Sequence, residues 1–220
     1  MLHERRFGRE DGFTLVELMV AMPLMLLVMG GLTILLTQLN HWSSQTRDTA
    51  TLQTEARAAL NTLEYSVRGA FIGDGTTPIL SATATSITFY TPDGYPTTVA
   101  GSVQSSFHLQ KVSYQVTGGV LQRQSMTSTN TYPTGPPWTF PGSMSAWNTV
   151  LGQPNSITNT DVFSYYTQAG AQAVPPTPLA FPIADPTGVS AVGIKLSLST
   201  GGPQPEKFTV KDIVSIRGDQ

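Results

Sequence analysis

The feature that most constrains this chain is an apolar run near its start. From Leu18 to Leu36 there are nineteen uncharged residues, of which Thr33 is the only polar one. At about 1.5 Å per residue, a helix of this length nearly matches a hydrocarbon core of roughly 30 Å. The run therefore predicts a membrane-spanning helix. Glu17, directly before it, puts a carboxylate where a membrane is expected.

A secretory signal peptide is the competing interpretation of this segment. Signal peptides have an apolar region of about 7 to 15 residues, followed by a small-x-small cleavage site. This run is longer, and the residues that follow it, Thr37 to Trp42, contain no such site. We therefore expect the segment to be retained. Arginines at positions 5, 6 and 9 favour a cytoplasmic N-terminus and a single pass through the membrane.

Glu17 has two interpretations. Thr14-x-x-Glu17 has the spacing of a capping box, in which a hydroxyl and a carboxylate satisfy free N–H groups at a helix start. A carboxylate near the bilayer centre, however, costs on the order of 3 kcal/mol and is usually paired. Glu17 therefore either caps the helix or pairs with a cation from elsewhere, and both interpretations stay open at this point.

The leader ending in Gly12, the residues Phe-Thr-Leu-Val-Glu-Leu at 13–18 and the apolar helix resemble the N-terminus of type IV pilins and of the pseudopilins of type II secretion. The resemblance implies that a prepilin peptidase cuts between Gly12 and Phe13 and that Phe13 is then N-methylated. Cleavage would create an α-amine one helical turn from Glu17 that titrates at about pH 8. The resemblance also implies that this amine can belong to a neighbouring subunit, which makes Glu17 an assembly contact in a helical filament. The implied partners are other pilins or pseudopilins, the peptidase and an inner-membrane assembly platform.

Pro23 and the pair Gly30-Gly31 are candidates for a break in the helix. Proline removes a backbone hydrogen bond, and glycine lowers helix propensity. We therefore expect a kink or a locally extended stretch, and the family resemblance suggests that such a region melts when the subunit enters a filament. The alternative is that these are the ordinary Pro and Gly of a membrane helix.

After Trp42 the pattern becomes that of an amphipathic helix. Apolar residues recur at spacings of three and four, which predicts one buried stripe. The stripe consists of Leu52, Ala56, Ala59, Leu60, Leu63, Val67, Ala70 and Phe71. Arg57, Asn61, Glu64 and Arg68 are expected on the other face, with Glu64 and Arg68 spaced for an i,i+4 ion pair.

Period-two patterns predict the strands of a head. The predicted strands cover residues 86–91, 111–117, 120–126, 161–167, 189–199 and 207–217. Gly118-Gly119 predicts a hairpin with a primed two-residue turn, which sets Tyr114 opposite Arg123 and Val116 opposite Leu121. We expect an α+β fold in which a long N-terminal helix, half transmembrane and half amphipathic, packs on a mostly antiparallel sheet.

The order of these elements resembles PilW-like minor pilins and J-type minor pseudopilins. We divide the chain into a leader (1–12), a transmembrane and filament-core helix (13–40), an amphipathic helical half (41–73) and an extracytoplasmic head (74–220). Residues 127–154 are expected to form a long surface loop, because they are rich in Ser, Thr, Pro and Gly. Its aromatic residues Trp138, Phe140 and Trp147 are expected to cover the edge or core of the sheet rather than to bind a partner.

No pattern in the sequence indicates catalysis. Phosphate-loop, metalloprotease and serine-hydrolase motifs are absent, and His41 and His108 form no visible ligand pair or triad. The chain has no cysteine, which excludes thiolate metal sites and disulfides. Gly73-Asp74-Gly75, Asp93-Gly94 and Asp161 could contribute to a calcium site. Turn chemistry explains the two Asp-Gly pairs better, and one carboxylate at each site is too few for calcium. We expect no enzyme activity, no cofactor and no metal.

The sequence therefore favours a minor pilin or pseudopilin, a structural subunit processed at Gly12. An alternative is a filament-associated adhesin or a DNA-uptake subunit that binds DNA through its head. Lys195, Lys207, Lys211 and Arg217 could serve it, but strand residues need not share a face, and a net charge of −2 shows no basic balance. A third interpretation is an anchored protein that never assembles.

Overall fold

The computed structural model describes residues 14–72, 77–93, 97–99, 102–104, 107–131, 137–167, 177–183, 185–201 and 205–216. For 97–99 and 102–104 it describes the backbone alone. The leader, Gly12 and Phe13 lie outside these residues, so the predicted cleavage site does too. The chain divides into two compact units, Met1–Arg47 and Asp48–Gln220, and each is described below by itself.

Helix α1 spans Leu15–Arg68. It is long and apolar enough to cross a membrane, and none of its most apolar 18-residue window is buried. The helix continues through Pro23 and through Gly30-Gly31, so the locally extended stretch expected there is absent. Proline removes one N–H group only, and the surrounding Leu and Met residues are strong helix formers. Melting on entry into a filament stays a prediction.

In the second unit, one face of α1 is buried against the head. The buried residues of this face are Leu52, Ala56, Ala59, Leu60, Leu63 and Val67, and Ala70 continues the stripe just beyond the helix. The predicted apolar stripe is confirmed, with Phe71 half-buried at its end. Arg57, Asn61 and Arg68 are exposed on the other side.

Eleven strands are found in the described parts of the head. They are β1 (Ile79–Ala82), β2 (Ser86–Asp93), β3 (Thr97–Val99), β4 (Ser102–Gln104), β5 (His108–Thr117), β6 (Val120–Thr131), β7 (Asn148–Leu151), β8 (Asn155–Ile157), β9 (Phe163–Tyr166), β10 (Ala191–Thr200) and β11 (Lys207–Ser215). A short 3₁₀ turn, Pro186–Gly188, precedes β10.

These strands form two main antiparallel sheets and a small hairpin. The first sheet has the order β1-β2-β5-β6-β7, and β3 pairs with β4. In the second sheet, β10 pairs with β11 along one side, while β9 and β8 share its other side. The α+β prediction of a long N-terminal helix packed on antiparallel sheets is confirmed, although the strands divide between two sheets.

The β5–β6 hairpin has the predicted register. Tyr114 pairs with Arg123 and Val116 with Leu121. The turn residues Gly118 and Gly119 have φ angles of 60° and 78°, as a primed two-residue turn requires. The hairpin prediction is confirmed because alternation and turn chemistry are both local to the sequence.

Alanine substitutions at the two turn glycines should distinguish the cost of backbone strain from the cost of a steric clash. Gly119→Ala should destabilise the protein by about 2 kcal/mol, because a side chain strains the left-handed backbone, and its Cβ would lie 3.2 Å from the carbonyl oxygen of Ile157. Gly118→Ala meets open space and should cost about half as much. Urea unfolding of both variants in detergent measures the difference, and equal losses would contradict the packing argument.

One hydrophobic core joins the helix face and both sheets. The Tyr165 hydroxyl of β9 donates to the carbonyl oxygens of Thr83 and Ser86, at 3.0 Å each, and so ties the second sheet to the β1–β2 turn. Ser66 of the helix shares a 2.8 Å hydrogen bond with the Tyr114 hydroxyl of β5. These polar contacts fix the register of helix against sheets, because few alternative partners exist in the core.

The prediction of a single loop over 127–154 is wrong at both ends. Strand β6 continues to Thr131, and β7 forms the edge of the first sheet. The polar composition of 127–131 hid the strand, since Ser128 is a polar residue at a buried position and its neighbours are exposed or half-exposed. Strands β1 and β8 were also missed, because three or four residues give too short a pattern to detect.

Candidate assembly site and head surfaces

Glu17 lies in the first turn of α1 and contacts Thr14. The Thr14 N–H donates to Glu17 Oε2 at 3.4 Å, and the Thr14 hydroxyl donates to the same oxygen at 3.3 Å. The Glu17 N–H in turn donates to Thr14 Oγ1 at 3.3 Å. This reciprocal arrangement is the predicted capping box. It accounts for the helix start at this point.

The capping box leaves the charge of Glu17 without a cation. No ion pair to Glu17 is found within the described residues. The first basic residue that follows it in the chain is Arg47, which is thirty residues away or about 45 Å along a helix. Both residues of the box are exposed. The carboxylate therefore needs a partner from outside this helix if it enters a membrane.

Apolar side chains surround Glu17 on all sides of the helix. Leu15, Val16, Met19 and Val20 are each at least half exposed, and the same holds for the large apolar residues onward to Leu39. A water-soluble protein rarely exposes an apolar surface of this extent. This part of α1 is therefore suited to lipid or to other apolar helices.

Comparisons with known proteins identify the N-terminal motif. Residues 8–33 match the family model of the prokaryotic N-terminal methylation motif. No curated protein matches the chain significantly in sequence. Among solved structures, the chain is similar to a type IV-like pilin from Thermus thermophilus, with 13% identity and a TM-score of 0.44. That match covers 75% of this chain and 95% of the other.

The motif and the architecture define a class. The chain carries an N-terminal methylation motif directly at the start of a membrane-length helix, and the second half of that helix packs on antiparallel sheets. The chain therefore combines a prokaryotic N-terminal methylation motif with a membrane-length helix, which is the arrangement that the resemblance to type IV pilins implies. Its apolar helix and motif are consistent with a membrane-anchored pilin.

In the head, Glu64 contacts an acid rather than the predicted base. Its carboxyl group lies close enough to that of Asp212 on β11 to raise its pKa, and no ion pair with Arg68 forms. Burial raises the pKa of Glu64, and the hydrogen bond with Asp212 and the repulsion from its charge raise it further, against a lowering by Arg68. Sequence reasoning missed this contact, because it depends on which edge strand faces the helix.

This contact should make stability depend on pH. A carboxyl whose pKa is raised on folding stabilises the protein below its ordinary pKa and loses that contribution as the pH rises. Glu64→Gln should therefore raise the melting temperature at neutral pH, and its advantage should shrink towards pH 4, near the ordinary pKa of glutamate. Thermal melts across this range test it, with Glu206→Gln as the charge-matched control. An equal gain in both variants would contradict the pairing.

The aromatic residues of 137–147 lie against the first sheet. Phe140 stacks on Tyr90 of β2 at 5.7 Å between ring centroids, and Trp138 stacks on Phe107 at 6.3 Å. The segment is anchored to β6, since the Thr129 N–H donates to the carbonyl oxygen of Thr139 at 2.8 Å. The prediction that these rings cover the sheet is confirmed for Trp138 and Phe140.

Two side chains considered for metal chemistry have ordinary partners. His108 Nδ1 is 2.8 Å from the carbonyl oxygen of Ser128, and Asp161 is 2.8 Å from Lys195 Nζ. The hydrogen bond from Lys195 lowers the pKa of the Asp161 carboxyl. Within the part of the chain that the structure describes, no group of three or more His, Cys, Asp or Glu could hold a metal ion.

The lysines of the last two strands share one face, a point that the sequence left open. Lys195 on β10 pairs directly with Lys211 on β11, and Ser199 pairs with Lys207. Because side chains alternate along a strand, Lys207 and Lys211 point to the same side. For Lys207 and Lys211 the sequence already indicated this shared side, because the two lysines are an even number of residues apart on one strand. Arg217 lies outside the described residues.

Proposed function

We propose that this protein is a minor pilin or pseudopilin, a structural subunit that helps to assemble or prime a type IV pilus or a type II secretion pseudopilus. The observation that carries the proposal is Glu17. Its carboxylate lies at the start of the exposed apolar half of α1, and Thr14, a neutral residue, is its one hydrogen-bond partner among the described residues. A subunit that remained alone in the membrane would bear the cost of this charge, on the order of 3 kcal/mol.

The proposal gives the charge a partner. A prepilin peptidase cuts between Gly12 and Phe13, and the α-amine of Phe13 is N-methylated and keeps its positive charge. Within a filament the amine of a neighbouring subunit pairs with Glu17. The capping box supports this function, since it holds the carboxylate at the very start of the helix. Pairing in an apolar environment is stronger than the same contact in water.

The proposed topology follows from the same residues. Before assembly, the protein crosses the inner membrane once through residues 13–40, with its N-terminus in the cytoplasm and its head in the periplasm. After assembly, the helices form the filament core and the heads face outward. The other partners are further pilins or pseudopilins, the peptidase and an inner-membrane assembly platform. The protein acts as a substrate of the peptidase and performs no reaction.

N-terminal mass spectrometry of the protein from its own cells tests the proposal. The expected mature chain begins at Phe13, lacks the first twelve residues and carries one methyl group on the terminal nitrogen. Protein from cells without the prepilin peptidase should retain Gly12 and the methyl-free leader. An intact leader in the native filament fraction would refute the proposal.

A further inference from the structure

The second sheet has an outer face, opposite the helix, that the proposed function does not use. Ile194 is buried in the core, so its neighbours Gly193 and Lys195 on β10 point away from the helix. The strand register places Ser164 of β9 and Ile213 of β11 on either side of Gly193. Residues from three adjacent strands therefore meet on this face.

An open groove of about 480 Å³ lies on this face. Its lining consists of Ser164, Tyr166, Gly193, Ile194, Lys195, Lys211, Asp212 and Ile213. The Tyr166 ring lies over Gly193, where an added Cβ would be 3.0 Å from the ring. Ile213 is 47% exposed. The groove thus has an aromatic and aliphatic wall beside two ammonium groups, and its volume suits one or two side chains of a ligand.

Lysines outnumber carboxylates around this groove, even with Asp212 in its lining. Lys195 and Lys211 are directly opposite in the sheet, and like charges in this position destabilise a strand pair. Asp161 neutralises Lys195, but no carboxylate in the described part of the chain lies within ion-pair distance of Lys211. Lys207 adds a third positive charge on the same face. An anionic ligand would relieve this repulsion.

We infer that this groove binds an acidic segment of a partner protein, with a carboxylate at Lys211 and an apolar side chain between Tyr166 and Ile213. Strand β11 favours a polypeptide, because it is an edge strand and its second edge pairs with no described strand. The Ile213 N–H donates to Asp212 Oδ1, so it is the remaining unpaired N–H and C=O groups of this strand that match those of an extended chain. Edge lysines would select an acidic segment and reject a neutral or basic one. This inference goes beyond the subunit role and does not depend on it.

Binding of fluorescent polymers to the full chain in a nonionic detergent tests the inference. The probes are a random copolymer of glutamate and tyrosine, poly-glutamate, and a duplex DNA of similar length. We expect the copolymer to bind most tightly. Lys211→Glu should weaken its binding about tenfold, equivalent to about 1.4 kcal/mol. Ile213→Ser should lower the affinity for the copolymer to the affinity for poly-glutamate. Lys111→Glu, on the other sheet, is the matched control and should bind as the parent does.

Each remaining outcome overturns the inference. DNA that binds as tightly as the copolymer, and depends on Lys211, would make this face a nucleic-acid surface instead. Equal losses from Lys111→Glu and Lys211→Glu would show nonspecific attraction, and no binding of any polymer would remove the site. Circular dichroism shows whether each variant is folded. The assay needs no filament, so its failure would leave the assembly role untouched.

Discussion

Glu17→Gln subunits are expected to be nearly absent from filaments although their helix begins normally. Glutamine occupies the same position of a capping box as glutamate, so the contacts with Thr14 remain available. The negative charge, however, is gone, and the amine of the neighbouring subunit loses its partner. We expect the amount recovered in sheared filaments to fall at least about tenfold, equivalent to about 1.4 kcal/mol or more. Insertion into the membrane should be unchanged or improved.

Thr14→Ala is the matched control, since it removes the hydroxyl of the capping box and keeps the charge. It should weaken the helix start by about 1 kcal/mol but permit assembly. Quantitative immunoblots of the membrane and sheared fractions compare the three proteins. If Glu17→Gln assembles normally while Thr14→Ala does not, Glu17 acts as a cap alone and the proposed pairing is wrong.

The parts of the fold that could be predicted are those fixed by local pattern. The stripe from Leu52 to Val67 follows from helical spacing, and the β5–β6 hairpin follows from alternation around Gly118-Gly119. Strand β8 could not be predicted in this way, because its three residues pair with β10 more than forty positions later. Its existence depends on tertiary contacts, such as the 2.6 Å hydrogen bond from Asn155 Nδ2 to Glu55 Oε2.

The candidate sites also differ in whether the local sequence or the tertiary fold determines them. Glu17 could be recognised from sequence, because a charge inside an apolar run is conspicuous and costly. The contact of Glu64 with Asp212 and the groove beside Lys211 could not, since each joins residues that only the sheet order brings together. These surfaces cannot be predicted until the strand that pairs with β11 is known, and that pairing depends on the fold of the whole head.

Leu63→Ala should be among the most destabilising single substitutions in the head. Leu63 is 0% exposed on the face of α1 that packs in the core, one turn before Ser66, which binds the Tyr114 hydroxyl. Truncation of a buried leucine removes apolar contacts and leaves a cavity, at a cost of about 2 to 5 kcal/mol. For a unit of this size, each 1 kcal/mol lowers the melting temperature by about 2 to 4 °C. We therefore expect a decrease of about 10 °C.

Asn61→Ala is the control, because Asn61 is exposed on the opposite side of the same helical turn. It should change the stability by less than about 0.5 kcal/mol. Thermal and urea unfolding of the full chain in detergent, followed by tyrosine near-UV circular dichroism, measure both variants. If the two substitutions had equal effects, the amphipathic half of α1 would not be part of the core of the head. The large difference is expected because stability of this helix comes from packing on the sheets rather than from its own propensity.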